Sequence, residues 1–493
     1  MKYTSPESVG ISSRDLLKFY KALDGYHLST HSVIMARGDS IFTECYYEPF
    51  NKDFLHRMYS VSKSFVSIAI GFCEQDGLIS LDDPMAKYFE EYLAGKPEEY
   101  RPTTTIRELL RMETTMETSI SWFKSGTSDR TEVYFRKVAD KNPNTLFSYD
   151  SPGNYMLCVI VEKVTGKPFL KYLQEKVLDD IGFSKNAYAI QVPGGHSFGD
   201  SGVMCTAMDL MLFAHFVLNG GTWGGKRYLN EEYIKKATDA AVCTNDFGFA
   251  EHGGFGYGYQ FWGMANGCFA MHGMGNQIAL CDPKHDFIFV INSDNQGNEH
   301  NYENIYAALY YTVMNNISDQ PLDEDESARA ELDEYIKSRK LFCLYEAPES
   351  PFADKINGRV FDCDANPMGI KWFRLDFKDN RGSFTYENEQ GEKSFSFGFG
   401  HNEFGKFPQR GYSDLVATVP VEGHMYNAAF SADWPEERKL RVRVQIIDKY
   451  FGNLAIVFGF RDENTVSVRM KKKAEAFLNE YEGIMNAKAR KER

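Results

Sequence analysis

The stretch Met58-Tyr-Ser-Val-Ser-Lys-Ser-Phe-Val-Ser-Ile-Ala-Ile-Gly-Phe72 constrains this chain more than any other. Phe65, Ile68, Ala69 and Phe72 recur at i, i+3, i+4 and i+7, the period of a helix with a buried face. Asp76-Gly77 supplies its stop. At the mouth of this helix Ser60 and Lys63 stand at a Ser-x-x-Lys spacing. Residues three apart share a helical face, so the ammonium can reach the hydroxyl one turn before it. A serine at a helix N-terminus also has backbone N–H groups close by to stabilise developing negative charge. Those are the requirements of a lysine-activated serine nucleophile.

The spacing alone does not decide the matter. Ser60 reads equally as an N-cap with Lys63 on a solvated first turn. A second Ser-x-x-Lys occurs at Ser121–Lys124, followed by Ser-Gly-Thr-Ser-Asp, where no helix continues. A rival nucleophile pattern, Gly195-His-Ser197-Phe-Gly199, fits Gly-x-Ser-x-Gly. That elbow needs a buried strand before it and a helix directly after. Here Pro193-Gly194 breaks the strand and Asp200-Ser-Gly202 delays any helix, so a loop is expected.

Elsewhere a helix with Leu16, Phe19, Tyr20 and Leu23 on one face precedes a hairpin, 31–37 and 41–47, turning at Gly38-Asp39. Helices follow at 106–112, at Ser151-Pro152 through Gly166 (with Ser151 as N-cap), and at 203–219. From 255 to 292 the pattern turns to strands separated by glycine or Asp-Pro turns, and a helix at 301–316 closes the block. This is an α+β arrangement whose sheet draws strands from both ends of a domain spanning 1–317. Residues 318–340 read as an acidic linker with a short helix, and 341–493 as a smaller β-rich domain ending in a helix at about 470–490.

Composition narrows the function. Of 493 residues, 43% are hydrophobic and 25% charged, which is globular usage. A net charge of −14 argues against a nucleic-acid partner. No apolar run approaches the ~20 residues of a membrane span. Nine cysteines scattered singly suit free thiols in a reducing compartment, and a cytoplasmic location is expected. No zinc-ligand spacing occurs, and neither a metal nor a cofactor is expected.

Two more pieces bear on Ser60. Phe147-Ser-Tyr149-Asp-Ser151-Pro-Gly-Asn154 fixes a tyrosine just before a capped helix, where its phenol could share a proton with Lys63. Ala270-Met-His272-Gly273-Met274-Gly-Asn-Gln277 carries a glycine that lets another backbone or a ligand approach a strand. The N–H of Met274 could then form an oxyanion hole with that of Ser60. His272 reads as readily as a structural histidine as a functional one.

Ser-x-x-Lys, a Tyr-x-x element and a late glycine strand, in this order, resemble the serine β-lactamase and penicillin-binding-protein superfamily. The closer resemblance is to its class C β-lactamase-like esterases, D-aminopeptidases and 6-aminohexanoate-oligomer hydrolases. Thr105-Ile-Arg-Glu-Leu-Leu110, Asn219-Gly-Gly-Thr-Trp-Gly-Gly-Lys-Arg and Gly256-Tyr-Gly-Tyr-Gln-Phe-Trp262 also look like that group, and the likeness covers about residues 10–316. It implies a β-lactamase/transpeptidase-like domain, an antiparallel sheet flanked by helices plus a helical subdomain. It implies Ser60 as acylated nucleophile, Lys63 as base, Tyr149 as proton shuttle, and the N–H groups of Ser60 and Met274 as oxyanion hole. Ser151, His272 and Gly273 would face the substrate, a small ester or amide. Ser151 replaces the usual asparagine, and Met271-His-Gly lacks the lysine that holds a substrate carboxylate in β-lactamases and carboxypeptidases. Those two activities are therefore the alternatives, with a non-hydrolytic sensor on the same fold as a third.

Overall fold

Strands from both ends of the first 340 residues share one sheet. The computed structural model describes residues 1–114, 128–136, 141–244, 255–412, 422–475 and 477–491. They form two units, Met1–Lys340 and Leu341–Arg493. The principal elements of the first are α1 (Ser13–Gly25), β1 (Thr30–Arg37), β2 (Ser40–Tyr46), α2 (Ser62–Gln75), α3 (Ile106–Arg111), α4 (Ser151–Thr165), α5 (Ala207–Leu218), β3 (Gly256–Tyr257), β4 (Trp262–Gly263), β5 (Phe269–Gly273), β6 (Gln277–Asp282), β7 (Phe287–Ser293), α6 (Asn301–Thr312) and α7 (Glu326–Lys337), with shorter helices and strands among the described residues between them. The eight-stranded sheet has the order Lys2–Tyr3, β2, β1, β7, β6, β5, β4, β3. Apart from the parallel Lys2–Tyr3 edge, neighbours are antiparallel, with Val290 opposite Ile34 and Ala279 opposite Val290.

Alternation along the strands divides the core. Val33, Met35, Ile278, Leu280, Phe289 and Ile291 pack with Leu16, Phe19 and Leu23 of α1 and with Ile305 and Leu309 of α6. The intervening residues turn to the other face, which α5 covers; Cys281 Sγ meets Ala214 O there at 3.9 Å. Thr206 opens α5 with a capping box to Asp209, so this helix starts after the short strand Val203–Cys205 rather than at 203. α2 packs against α4 and is buried from Ser62 to Cys73, as a helix apolar nearly all round must be.

Segment 318–340 is part of this unit rather than a linker. Its acidic residues hide an apolar pair four apart, Ala328 and Leu332, buried at 3% and 1% exposure. α7 packs on α1, and Tyr335 Oη donates to Asp24 Oδ2 at 2.5 Å. Arg339 pairs with the same carboxylate.

The second unit is a β-barrel. Its ten-stranded sheet closes where Gly391–Phe399 pairs in parallel with Asn427–Glu436, through Gly398–Ser431 and Phe399–Ala432. Phe361, Phe373, Phe384 and Phe458 lie in its core. The helix expected at about 470–490 is a correction: Thr465–Ala474 and Gly483–Ala489 are paired strands. Val466, Val468 and Met470 point inward while Ser467, Arg469 and Lys471 point out, a period of two that the basic composition masked. Among the described residues, no helix is long and apolar enough to cross a membrane.

Candidate active site

The turn that carries Ser60 is held from several sides. His56–Arg57 pairs with Val203–Cys205, and the Met58 N–H donates to Val203 O at 2.8 Å. Arg57, fully buried, donates to Ser201 O at 2.9 Å and to Ser201 Oγ at 3.0 Å, and its guanidinium lies 4.3 Å from the Tyr59 ring centre. Tyr59 adopts φ 46°, a left-handed conformation unfavourable for an aromatic residue. Such strain persists only where surrounding contacts over-determine it, and it clusters at functional sites. Ser60 follows in the short turn Tyr59–Val61, ahead of α2. Val61 occupies the N-cap position and no side chain caps the helix, so Ser60 is not an ordinary N-cap.

Lys63 is 1% exposed, yet its ammonium points at the serine. Nζ donates to Ser60 Oγ at 3.0 Å and to the backbone carbonyl of Asp200 at 2.8 Å. It also lies 5.0 Å from the centre of the Tyr149 ring. Among the described residues no carboxylate is paired with it. A one-turn spacing along α2 thus converges with a tyrosine from a distant loop.

Tyr149 is placed by its neighbours in sequence. The Ser148 N–H donates to Met112 O at 2.9 Å. Asp150, not Ser151, caps α4: Oδ1 accepts from the Gly153 N–H at 3.0 Å, and Thr114 Oγ1 donates to Oδ2 at 3.0 Å. Ser151 is the first helical residue, 8% exposed. The carboxylate outcompetes the neighbouring hydroxyl because a charged acceptor makes the stronger cap.

Gly273 ends β5 against the nucleophile turn. A Cβ built there would lie 2.3 Å from Met58 O, so only glycine admits this approach. Met274 follows at the start of the turn to β6 and is partly exposed, as are Ser60 and Tyr149. His272 turns away. It is 6% exposed, and its Nε2 lies 2.5 Å from Tyr306 Oη on α6. The residue read as a substrate contact thus spends one ring nitrogen on α6, on the face of the sheet where Trp262 and Tyr149 also pack.

These features have relatives. The Beta-lactamase family model matches residues 18–312.

The chain belongs to the β-lactamase family.

It is a hydrolase of that family, and the match spans β1 to β7, α2 and the Tyr149 loop. A 6-aminohexanoate-dimer hydrolase from Paenarthrobacter ureafaciens is 25% identical over 284 residues, 53% of this chain and 71% of the relative. A candidate 6-aminohexanoate-dimer hydrolase from Bacillus anthracis superposes with a TM-score of 0.50 at 21% identity, over 63% of this chain and 86% of its own. EstCE1, a hydrolase with promiscuous acyltransferase activity, gives 0.50 at 16% identity, over 60% and 97%.

Within this β-lactamase-family unit the rival patterns fall elsewhere. Ser121 and Lys124 lie outside the described residues. Ser197 sits in a loop after Gly194 and Gly195, both at positive φ, with one isolated bridge to Gln191 and no helix following. The Gly-x-Ser-x-Gly match is not a nucleophile elbow. Several contributors escaped the sequence reading. The Asp200 carbonyl has no side-chain signature at all. Tyr302 and Tyr306 show only as aromatic residues four apart on α6, where Tyr302 Oη donates to Gly273 O at 3.2 Å.

Proposed function

We propose that this β-lactamase-family hydrolase cleaves a small ester or amide through an acyl-enzyme on Ser60. The observation that carries the reading is the 3.0 Å contact between Lys63 Nζ and Ser60 Oγ, at a lysine whose other polar partner is a neutral carbonyl. With Lys63 as the free amine, Ser60 Oγ attacks the carbonyl carbon and its proton passes to Nζ. The oxyanion is held by the N–H groups of Ser60 and Met274, a role supported by the close approach of Gly273 to Met58 O beside them in sequence. Tyr149, lying against Lys63, carries the proton to the leaving oxygen or nitrogen as the bond to the acyl carbon breaks. Water then adds to the acyl-enzyme as its proton passes through Tyr149 to Lys63, and collapse of the intermediate returns that proton to Ser60 Oγ and releases the acid. Ser151 lines the entry to α4, beside Tyr149 in sequence, and contacts the substrate.

Met271-His-Gly offers no ammonium for a substrate carboxylate, and His272 is turned to Tyr306. This favours esters and linear amides over β-lactams and D-alanyl peptides. A linear amide of the kind named for the Paenarthrobacter ureafaciens relative is the leading amide candidate. Nine cysteines, all free, support a cytoplasmic location, and no metal or cofactor enters the chemistry. The test is hydrolysis of p-nitrophenyl esters, a 6-aminohexanoate dimer, D-amino-acid amides and a cephalosporin, with fluorophosphonate labelling. Ser60→Ala should abolish turnover and labelling together; full activity in that variant would end the reading.

A further inference from the structure

We propose that Trp262 is the positioning residue for Tyr149, fixing the phenol against Lys63; this rests on the reading of Tyr149 as the proton carrier. Tyr149 lies in a loop, where backbone bonds at Ser148 and the Asp150 cap set its Cα but leave the direction of the ring to whatever meets its face. Among the groups that meet it are Lys63 Nζ, 5.0 Å from the ring centre, and the Trp262 indole, near-parallel at 16° with centres 5.8 Å apart.

The indole is itself fixed. Trp262 is 5% exposed, and its backbone pairs with Ala270 of β5 and Tyr257 of β3. Tyr257 meets its ring edge-on at 4.8 Å and Phe147 at 6.2 Å. His272 stacks on it at 25° with centres 6.1 Å apart, and His272 Nε2 is bound to Tyr306 Oη at 2.5 Å. The rings of Tyr306, His272, Trp262 and Tyr149 therefore connect α6, along one face of the sheet, to the lysine beside Ser60. An offset stack fixes the plane of a flat side chain, which an aliphatic residue of similar volume does not. The same connection gives His272 its work: it braces the indole from β5, while Gly273, its neighbour, admits the nucleophile turn.

The experiment uses the full chain and a p-nitrophenyl butyrate assay with pre-steady-state and pH–rate measurements. It compares Trp262→Leu, Trp262→Phe, Tyr149→Phe and the double variant Trp262→Leu/Tyr149→Phe, with thermal unfolding of each. Trp262→Leu should lower kcat by about 30-fold or more, leave KM within about threefold, and displace a limb of the pH–rate profile. Trp262→Phe, which keeps a stacking ring, should retain about a third of kcat or more. In the Tyr149→Phe background, Trp262→Leu should add less than about twofold, since residues acting through one group are not additive. If Trp262→Leu fails to fold, Trp262→Met replaces it with the same expectations. An unchanged kcat and pH profile in the Leu or Met variant would overturn the proposal. So would a full penalty persisting in the double variant, because the indole would then act by another route. If Tyr149→Phe alone keeps full kcat at every pH, it is the role of Tyr149 that fails, an outcome distinct from a normal Trp262→Leu beside an inactive Tyr149→Phe.

Discussion

Gly273 lies against the carbonyl of Met58, so close that an added methyl would sit 2.3 Å from that oxygen. The contact joins the end of β5 to the turn carrying Ser60, two residues on. The atom met is backbone, not the end of a flexible side chain, so one partner has to move. Gly273→Ala should therefore push the nucleophile turn off the sheet. We expect kcat to fall about 100-fold, with stability reduced by about 1–3 kcal/mol. Steady-state kinetics beside urea unfolding would show it, and a variant with normal kcat would mean the two backbones are not held together during turnover.

Lys63 contributes chemistry more than packing. Its Nζ bonds only to Ser60 Oγ and Asp200 O among the described residues, so replacing it removes no ion pair. Lys63→Met, which keeps the length of the stem, should lose about 1,000-fold or more in kcat/KM. Its thermal midpoint should stay within about 3 °C of the parent, because one lost hydrogen bond to a carbonyl is offset by an apolar chain end of similar length in the same buried place. A burst of p-nitrophenol of normal rate from this variant would remove Lys63 from the acylation step.

What the sequence disclosed and what it hid follow from the range of each interaction. The Ser60–Lys63 contact lies within one helical turn, and the hairpin at Gly38-Asp39 is equally local, so both were legible from spacing. Tyr149 was legible because a proline and a capping pattern stood beside it, although the cap proved to be Asp150. The bond from Lys63 to Asp200 O was hidden, since it joins residues 137 apart and uses a main-chain atom. The stack of Trp262 on Tyr149 was hidden because ring contacts follow sheet order, not sequence spacing. In the second unit, the helix expected at about 470–490 gave way to two strands, whose pairing joins residues up to 23 apart.

The end of the catalytic unit can be tested by truncation. α7 buries Ala328 and Leu332 and joins Tyr335 and Arg339 to Asp24 of α1. Residues 1–340 should hydrolyse p-nitrophenyl esters with a kcat/KM within about threefold of the full chain, since every group of the proposed site lies within them. Residues 1–317 should be less stable than 1–340 by on the order of 3 kcal/mol, from the lost apolar burial. Equal stability of the two fragments would show that α7 adds nothing to the first unit.

The pair His31 and His56 predicts how the protein responds to acid. Both rings are buried, 5.5 Å apart, with Phe50 stacked on His31 at 3.8 Å and Phe54 edge-on to His56 at 4.8 Å. Burial drives His56 down to about 3, and drives His31 well below its ordinary value, with the neighbouring His56 adding to the effect. An unfolded histidine titrates near ~6.5. Below that pH the unfolded chain binds protons that the folded chain refuses, so stability is fully present above it and falls as pH drops toward the folded value. Each imidazole should remove about 1.4 kcal/mol per pH unit over that window. Urea unfolding at pH 7.5 and 5.0 should show the loss, and His56→Phe should reduce it by about half relative to the parent, with carboxylate effects common to both. Identical pH dependence in parent and His56→Phe would show that the buried imidazoles are not what acid attacks.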